Sequence, residues 1–308
     1  MRKIFITTTS FASYSKTPIE LLEKKNLQIA INTHGRKLSP QEVPRMLKEY
    51  DAVIAGTETY SKETLKQLPN LQVISRLGIG LDNIDRIQAK KQNIQIHKTQ
   101  TTPAPAVAEL TLGLILDVFR RISIQNSELK SGIWNKKMGE LLSGKTLGIV
   151  GLGTIGKKLV EITQGLNLKY LAFDVQRNKL FAEKYGVHYA DFEELLQYSD
   201  IISIHLNLST ETHHLIDFNT FNKMKKNVVL INTSRGEIID EKSLIKALDK
   251  KLIYGAGLDV FENEPYDGPL LKYDNVILTP HIGAYAKEIR IQMENEAVQN
   301  LINGLNDE

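Results

Sequence analysis

Three residues with complementary chemistry stand just past apolar, strand-like runs. NVVLIN leads into Thr233-Ser234-Arg235-Gly236, GAGLDV into Phe261-Glu262-Asn263-Glu264-Pro265, and VILTP into His281-Ile282-Gly283. Open parallel sheets bind ligands beyond the carboxyl ends of their strands, so a cation, a carboxylate and an imidazole are expected on one edge of one sheet. A guanidinium is always charged and grips a planar carboxylate through paired N–H bonds. An imidazole gives or takes a proton near neutral pH, and an acidic neighbour fixes the ring's orientation. Singly, each would be an ordinary loop residue; the shared edge gives them meaning.

A second constellation is Gly151-Leu152-Gly153-Thr154-Ile155-Gly156. It follows the apolar run TLGIV, opens the helical run KKLVEITQGL, and is followed by KYLAF ending at Asp174, eighteen residues past Gly156. This is the setting a dinucleotide fingerprint requires. Gly151 permits the tight turn, Gly153 lets backbone approach the pyrophosphate, and Gly156 allows close helix–strand packing. The helix N-terminus presents unpaired N–H groups to phosphate charge. Asp174 stands where a carboxylate accepts hydrogen bonds from the ribose 2′-OH and repels a 2′-phosphate. NAD is therefore expected over NADP, although Arg177 is close enough to soften the preference.

These groups need strands to carry them. Lys3–Thr7, Gln28–Ile31, Ala52–Ala55, Gln72–Ser75 and Ile94–His97 read as strands, with helices predicted over Pro18–Lys25, Pro40–Glu49, Lys62–Gln67 and Asn83–Lys91. Such alternation argues for a parallel sheet covered on both faces. The Thr/Pro-rich stretch Thr99–Pro105 reads as an extended linker, and Pro105 suits the first turn of an apolar helix over Ala106–Ile122. Strands are then expected at Thr146–Val150, Lys169–Phe173, Ile201–His205, Val228–Asn232, Gly255–Val260 and Val276–Thr279, before a last helix over Ala286–Leu305. The second set is continuously apolar, as strands buried on both faces are.

Composition narrows the function classes. The 308 residues suit two domains better than one core, and 42% apolar with 24% charged residues is ordinary for a globular chain. A net charge of +3, without a basic run interleaved with aromatics, argues against a nucleic-acid partner. With no cysteine there is neither a disulfide scaffold nor a thiolate nucleophile. The most apolar stretch, Val107–Val118, is too short for a membrane span, and the N-terminus does not read as a signal peptide, so a cytoplasmic location is expected. No metal site is expected: the pair His213-His214 has no carboxylate cluster at evident ligand spacing, and a solvated loop explains it.

The chain resembles the D-isomer-specific 2-hydroxyacid dehydrogenases, in the branch that includes D-3-phosphoglycerate dehydrogenase. The resemblance is carried by RLGIGLDNID (76–85), VAEL (107–110), GKTLGIVGLGTIG (144–156), INTSRGEIID (231–240), GAGLDVFENEP (255–265) and TPHIGA (279–284), in order along nearly the whole chain. It implies that Arg235 binds the substrate carboxylate and polarises its carbonyl, that His281 is the acid/base, and that Glu264 pairs with His281. It implies that Thr154 and Ile155 donate to the pyrophosphate, and that Thr99, Leu206, Thr233, Ser234, Asp259, Gly283 and Ala284 line the cofactor. Ile79 and Gly80 would hold the substrate carboxylate through backbone N–H groups, and Arg76 would reach a substrate phosphate if there is one. Three departures touch loops rather than the triad: Lys98-Thr99-Gln100 before the linker, Asn207 after His205-Leu206, and Ala284 after His-Ile-Gly.

The fold so implied is α/β, with two doubly wound parallel-sheet domains. A Rossmann NAD-binding domain (99–285) is inserted in a flavodoxin-like substrate domain (1–98 plus 286–308). A homodimer is expected, with the apolar helix 106–122 and the Trp134 segment as its contact. The expected activity is hydride transfer between NAD(H) and a small D-2-hydroxy acid/2-oxo acid pair, with D-3-phosphoglycerate one option. Glu264 argues against a formate dehydrogenase, which carries glutamine there. A phosphite dehydrogenase and an NAD-sensing corepressor-like binding protein stay open.

Overall fold

The computed structural model describes residues 1–306. The chain divides into two compact units, Met1–Thr102 with the chain from Tyr285 onward, and Pro103–Ala284. The sequence-based junctions, at 98/99 and 285/286, lie four residues and one residue away. The first unit runs on through the linker because Thr99 N–H donates to the Arg76 carbonyl at 3.3 Å and the Glu296 carboxylate accepts from the backbone of Gln100 and Thr101. Residues 307 and 308 of the expected substrate domain lie outside the described residues.

The first unit holds β1 (Lys3–Ile6), β2 (Gln28–Ile31), β3 (Ala52–Ala55), β4 (Val73–Arg76) and β5 (Gln95–Lys98). They pair in the order β2-β1-β3-β4-β5, all parallel, which is the flavodoxin-like winding. Each strand is only four residues long, and β3 and β4 are buried throughout. The connecting helices start where side-chain oxygens can satisfy orphan N–H groups: Ser61 caps Lys62–Lys66 and Asp85 caps Arg86–Lys91. The last helix, Lys287–Asn306, lies against β4 and β5. Ser75 Oγ donates to the Ala297 carbonyl at 2.7 Å, and a Cβ on Gly304 would stand 2.7 Å from His97 Nε2. A buried ion pair, Arg290 Nε to Glu294 Oε1 at 2.7 Å, ties this helix to the Ala12 backbone N–H, which donates to Glu294 at 3.0 Å.

The second unit holds β6 (Thr146–Val150), β7 (Lys169–Phe173), β8 (Val187–Tyr189), β9 (Ile201–Ile204), β10 (Val228–Asn232), β11 (Ile253–Leu258) and β12 (Val276–Leu278). The parallel order is β12-β11-β10-β9-β6-β7-β8. The winding reverses between β6 and β9, which is where such folds receive nucleotides. The edge strand β8 has only three residues and was not evident in the sequence. The apolar helix spans Ala104–Arg120, not 106–122, and ends where Arg121 turns left-handed at φ 54° before a second helix, Ile122–Lys130. Its residues Leu114, Ile115, Val118 and Phe119 enter the core with Leu147, Ile149, Val229 and Ile231. One face of the helix is thus packed inside its own unit. No helix among the described residues is long and apolar enough to cross a membrane.

Candidate active site

The glycine turn after β6 separates glycines that the packing requires from one that it does not. Gly151 has φ +97°, and a Cβ there would stand 2.6 Å from the His205 carbonyl and 3.0 Å from Leu206. A Cβ on Gly156 would stand 2.5 Å from the Gly151 carbonyl and 3.0 Å from Ile149, so the helix Thr154–Thr163 presses directly on β6. Gly153 differs: a Cβ there meets no protein atom within 4 Å, and as N-cap it has no side-chain cap to offer the first turn. Bare N–H groups at Thr154 and Ile155 beside open space fit a pyrophosphate. Asp174 lies one residue past β7, with Oδ1 accepting from Gln176 N–H at 2.8 Å. Arg177 is drawn over the Tyr189 ring, 5.4 Å from its centroid.

His205, past β9, was not singled out from the sequence. Ser203 Oγ lies 2.9 Å from its Nε2, while its buried Nδ1 has no partner among the described residues. Burial pushes its pKa down to about 4, so the ring is uncharged at neutral pH.

The other carboxyl ends build the triad's surroundings. After β10, Thr233 Oγ1 lies 3.0 Å from Thr111 Oγ1, and Ser234 Oγ donates to Asn232 Oδ1 at 2.8 Å. Arg235 Nη1 donates to the Ser234 carbonyl at 2.7 Å, and the Arg235 carbonyl accepts from Asn232 Nδ2 at 2.8 Å. Gly236 then passes so near the next loop that a Cβ would stand 1.9 Å from the Phe261 carbonyl carbon. Only glycine allows the Arg235 and Glu264 loops to touch there.

After β12, His281 adopts a left-handed backbone at φ 55°. Its Nδ1 lies 2.9 Å from Glu264 Oε2 and 3.1 Å from Oε1, and Phe261 N–H also donates to Glu264 Oε1 at 3.3 Å. The His281 turn is held by Asp259. Oδ1 accepts from Thr279 Oγ1 at 2.6 Å and from Ile282 N–H at 2.8 Å, and Oδ2 accepts from Gly283 N–H at 2.8 Å. Burial raises the Asp259 pKa against these bonds and against the charge of His281. Sequence similarity marked Asp259 as a cofactor residue; its visible work is to fix the 279–283 turn. Gly283 is part of that turn, and Ala284, which follows it, is half-buried.

The remaining expected residues lie in the first unit. Ile79 is exposed and Gly80 half-buried, on the loop past β4. Arg76 is buried, 7% exposed, and its guanidinium donates to the Leu77 carbonyl beneath its own loop instead of extending toward a substrate phosphate. Thr99 is fully buried.

The reading of His213-His214 as a loop away from carboxylates is also corrected. His214 Nε2 lies 3.0 Å from Glu262 Oε1, and His214, Asp240 and Glu262 bring ligand-type atoms within 4.8 Å of one another. Each already has protein partners: Asp240 caps the helix Glu241–Asp249, and Glu262 accepts from Glu241 N–H at 3.2 Å.

Two glycine substitutions separate fold from ligand. Gly236→Ala should cost about 1–3 kcal/mol of stability in urea unfolding through overpacking against Phe261. Gly153→Ala should stay within about 1 kcal/mol of wild type yet weaken NADH binding at least about tenfold in a fluorescence titration. A Gly236→Ala protein as stable as wild type contradicts the close approach; unaltered NADH affinity in Gly153→Ala contradicts the phosphate site.

Comparison with known proteins places the chain. A model of the NAD binding domain of D-isomer specific 2-hydroxyacid dehydrogenases matches residues 112–283. The chain is 41% identical over 267 residues to the glyoxylate reductase of Thermococcus litoralis, covering 83% of this chain and 81% of that one. It is 36% identical over 292 residues to the hydroxypyruvate reductase of Thermotoga maritima, covering 92% and 93% respectively. Its structure matches the D-lactate dehydrogenase of Aquifex aeolicus, solved with NAD and lactic acid, at a TM-score of 0.82 and 28% identity, over 97% of this chain and 93% of that one. With the glycine turn, Asp174 and the strand-end triad already in view, the chain belongs to the D-isomer specific 2-hydroxyacid dehydrogenase family and is an NAD-dependent D-2-hydroxyacid dehydrogenase.

Proposed function

We propose that this enzyme reduces small, unphosphorylated 2-oxo acids of the glyoxylate and hydroxypyruvate type, with Arg235, Glu264 and His281 as its chemical residues. The observation that carries this reading is the His281 Nδ1–Glu264 bond of 2.9 Å. With Nδ1–H donated to the carboxylate, the tautomer is set and Nε2 is the nitrogen that serves the substrate. NADH, when bound at the Gly151–Gly156 turn, supplies the hydride. His281 delivers a proton from Nε2 to the carbonyl oxygen, and Glu264 stabilises the imidazolium that precedes transfer. Proton transfer of this kind contributes roughly a hundred- to ten-thousandfold in rate. Arg235 holds the substrate carboxylate and stabilises the negative charge that gathers on the carbonyl oxygen. In the first unit, the backbone N–H groups of Ile79 and Gly80 offer further donors to a carboxylate.

Preference for an unphosphorylated acid is supported by Arg76, whose charge is turned into the protein interior. The relatives named as glyoxylate and hydroxypyruvate reductases support the same class.

We further propose a homodimer whose contact includes the exposed segment around Trp134. Ile133, Trp134, Met138 and Leu141 are 53%, 79%, 90% and 72% exposed, in a stretch without regular secondary structure. Large apolar side chains clustered this way mark an interaction surface.

NADH oxidation should be fast with glyoxylate and hydroxypyruvate and at least about tenfold less efficient in kcat/KM with 3-phosphohydroxypyruvate. The reverse order contradicts the substrate class. Tight NADH binding without turnover on any 2-oxo acid makes the chain an NAD sensor instead, and NAD reduction by phosphite makes it a phosphite dehydrogenase. Light scattering at low micromolar concentration should give twice the chain mass for wild type and a lower value for Trp134→Asp; a wild-type monomer refutes the dimer.

A further inference from the structure

We propose that Glu58 is a positioning residue for substrate binding, bracing the loop after β3 to which the loop carrying Ile79 and Gly80 is hydrogen-bonded. The inference rests on the reading of that loop as a carboxylate-binding element.

Glu58 is 2% exposed, at the carboxyl end of β3. A buried carboxylate is costly unless its oxygens are richly paired. Its Oε1 accepts from Thr7 Oγ1 past β1, from Gly56 N–H at 2.9 Å and from Tyr60 OH at 2.8 Å. The same side chain fixes the identity of its neighbour: a Cβ on Gly56 would stand 2.9 Å from Glu58 Oε2. One carboxylate thus gathers the loop after β3 and the end of β1.

That loop is in turn stitched to the loop after β4. Asn83 Nδ2 donates to the Glu58 carbonyl at 2.6 Å and to the Gly56 carbonyl at 3.3 Å. Tyr60 N–H donates to the Asn83 carbonyl at 2.7 Å, Asp85 N–H to the Tyr60 carbonyl at 2.9 Å, and Leu77 N–H to the Ala55 carbonyl at 2.9 Å. The opposite charge is Arg76. Its guanidinium donates to the Leu77 carbonyl and fills the space under Gly78, where φ is +150° and a Cβ would stand 2.7 Å from Nη1. The fully buried Tyr60 hydroxyl feels both groups: burial and Glu58 raise its pKa well above the usual range, and Arg76 opposes them. Arg76 thus fills the space under Gly78, while Glu58 and Tyr60 brace the neighbouring loop to which Leu77, Asn83 and Asp85 are bonded. A loop so preorganised binds an anion without first paying the entropy of ordering its N–H groups. Interactions made equally in ground and transition states appear in KM, not in kcat.

Glu58→Gln removes the charge but keeps the shape, and Tyr60→Phe removes a single donor. Because hydrogen bonds to charged groups are the strong ones, Glu58→Gln should raise the KM for glyoxylate about ten- to hundredfold, with kcat and the NADH Kd each within about threefold of wild type. Tyr60→Phe should show the same split at smaller size. Backbone amides of Leu77–Gly80 should exchange hydrogen faster in both, a readout independent of turnover. Should Glu58→Gln fail to fold, Tyr60→Phe carries the test alone. An unchanged KM in a folded variant overturns the proposal, whether or not exchange quickens. So does a parallel fall in kcat and NADH affinity, which would mark general damage. A wild-type enzyme inactive on every 2-oxo acid overturns the functional reading and this inference with it; an active wild type with KM unmoved in the variants overturns this inference alone.

Discussion

A proton can be delivered to one place only if the ring that carries it is held from behind. The Glu264–His281 bond holds the imidazole in this way, as the proposed proton delivery requires. His281 and Glu264 come from the ends of adjacent strands, β12 and β11, while Arg235 comes from β10 beside them. Neighbouring strands lie about 5 Å apart, so parallel pairing alone brings three carboxyl ends within the reach of a small acid. The sheet supplies coarse position, and the loops refine it.

That refinement uses two devices with opposite demands. Gly236 removes a side chain so that the Arg235 loop can lie on Phe261. Asp259 places a buried carboxylate where the backbone of Ile282 and Gly283 and the hydroxyl of Thr279 can reach it. The second device is costly in isolation, since burial works against the charge, and it persists because nearly every acceptor direction is filled. A left-handed His281 is likewise an unfavourable backbone state, held because the turn on either side of it is tied down. In the first unit a buried acid, Glu58, likewise gathers the loop after β3 and the end of β1. In both units a buried acid orders loop backbone at the carboxyl ends of the strands.

What could be read from the sequence was local, or depended on strand ends. The run TLGIV-Gly151-…-Gly156 and the carboxylate at Asp174 follow from neighbours in the chain, and the structure places each beside its strand. Arg235, Glu264 and His281 could be grouped because apolar runs announce their own termini. Features built from distant segments were not readable. Glu58 meets Thr7 only because β3 pairs with β1, and Asn83 reaches it only because β4 pairs with β3. His214 and Glu262 are 48 residues apart and gave no periodic signal. Burial was not readable either: Thr99 and Arg76, singled out by similarity, are both buried. The break at Arg121 was invisible because a left-handed arginine carries no mark in composition, unlike a glycine or proline.

The most direct test replaces the proton donor and leaves the nucleotide turn alone. In His281→Asn, glyoxylate reduction is expected to fall at least about a hundredfold, while the NADH Kd, read by fluorescence titration, stays within about threefold of wild type. Turnover close to wild type in a protein that still binds NADH would show that the proton comes from elsewhere and that the Glu264–His281 pair does not drive the chemistry.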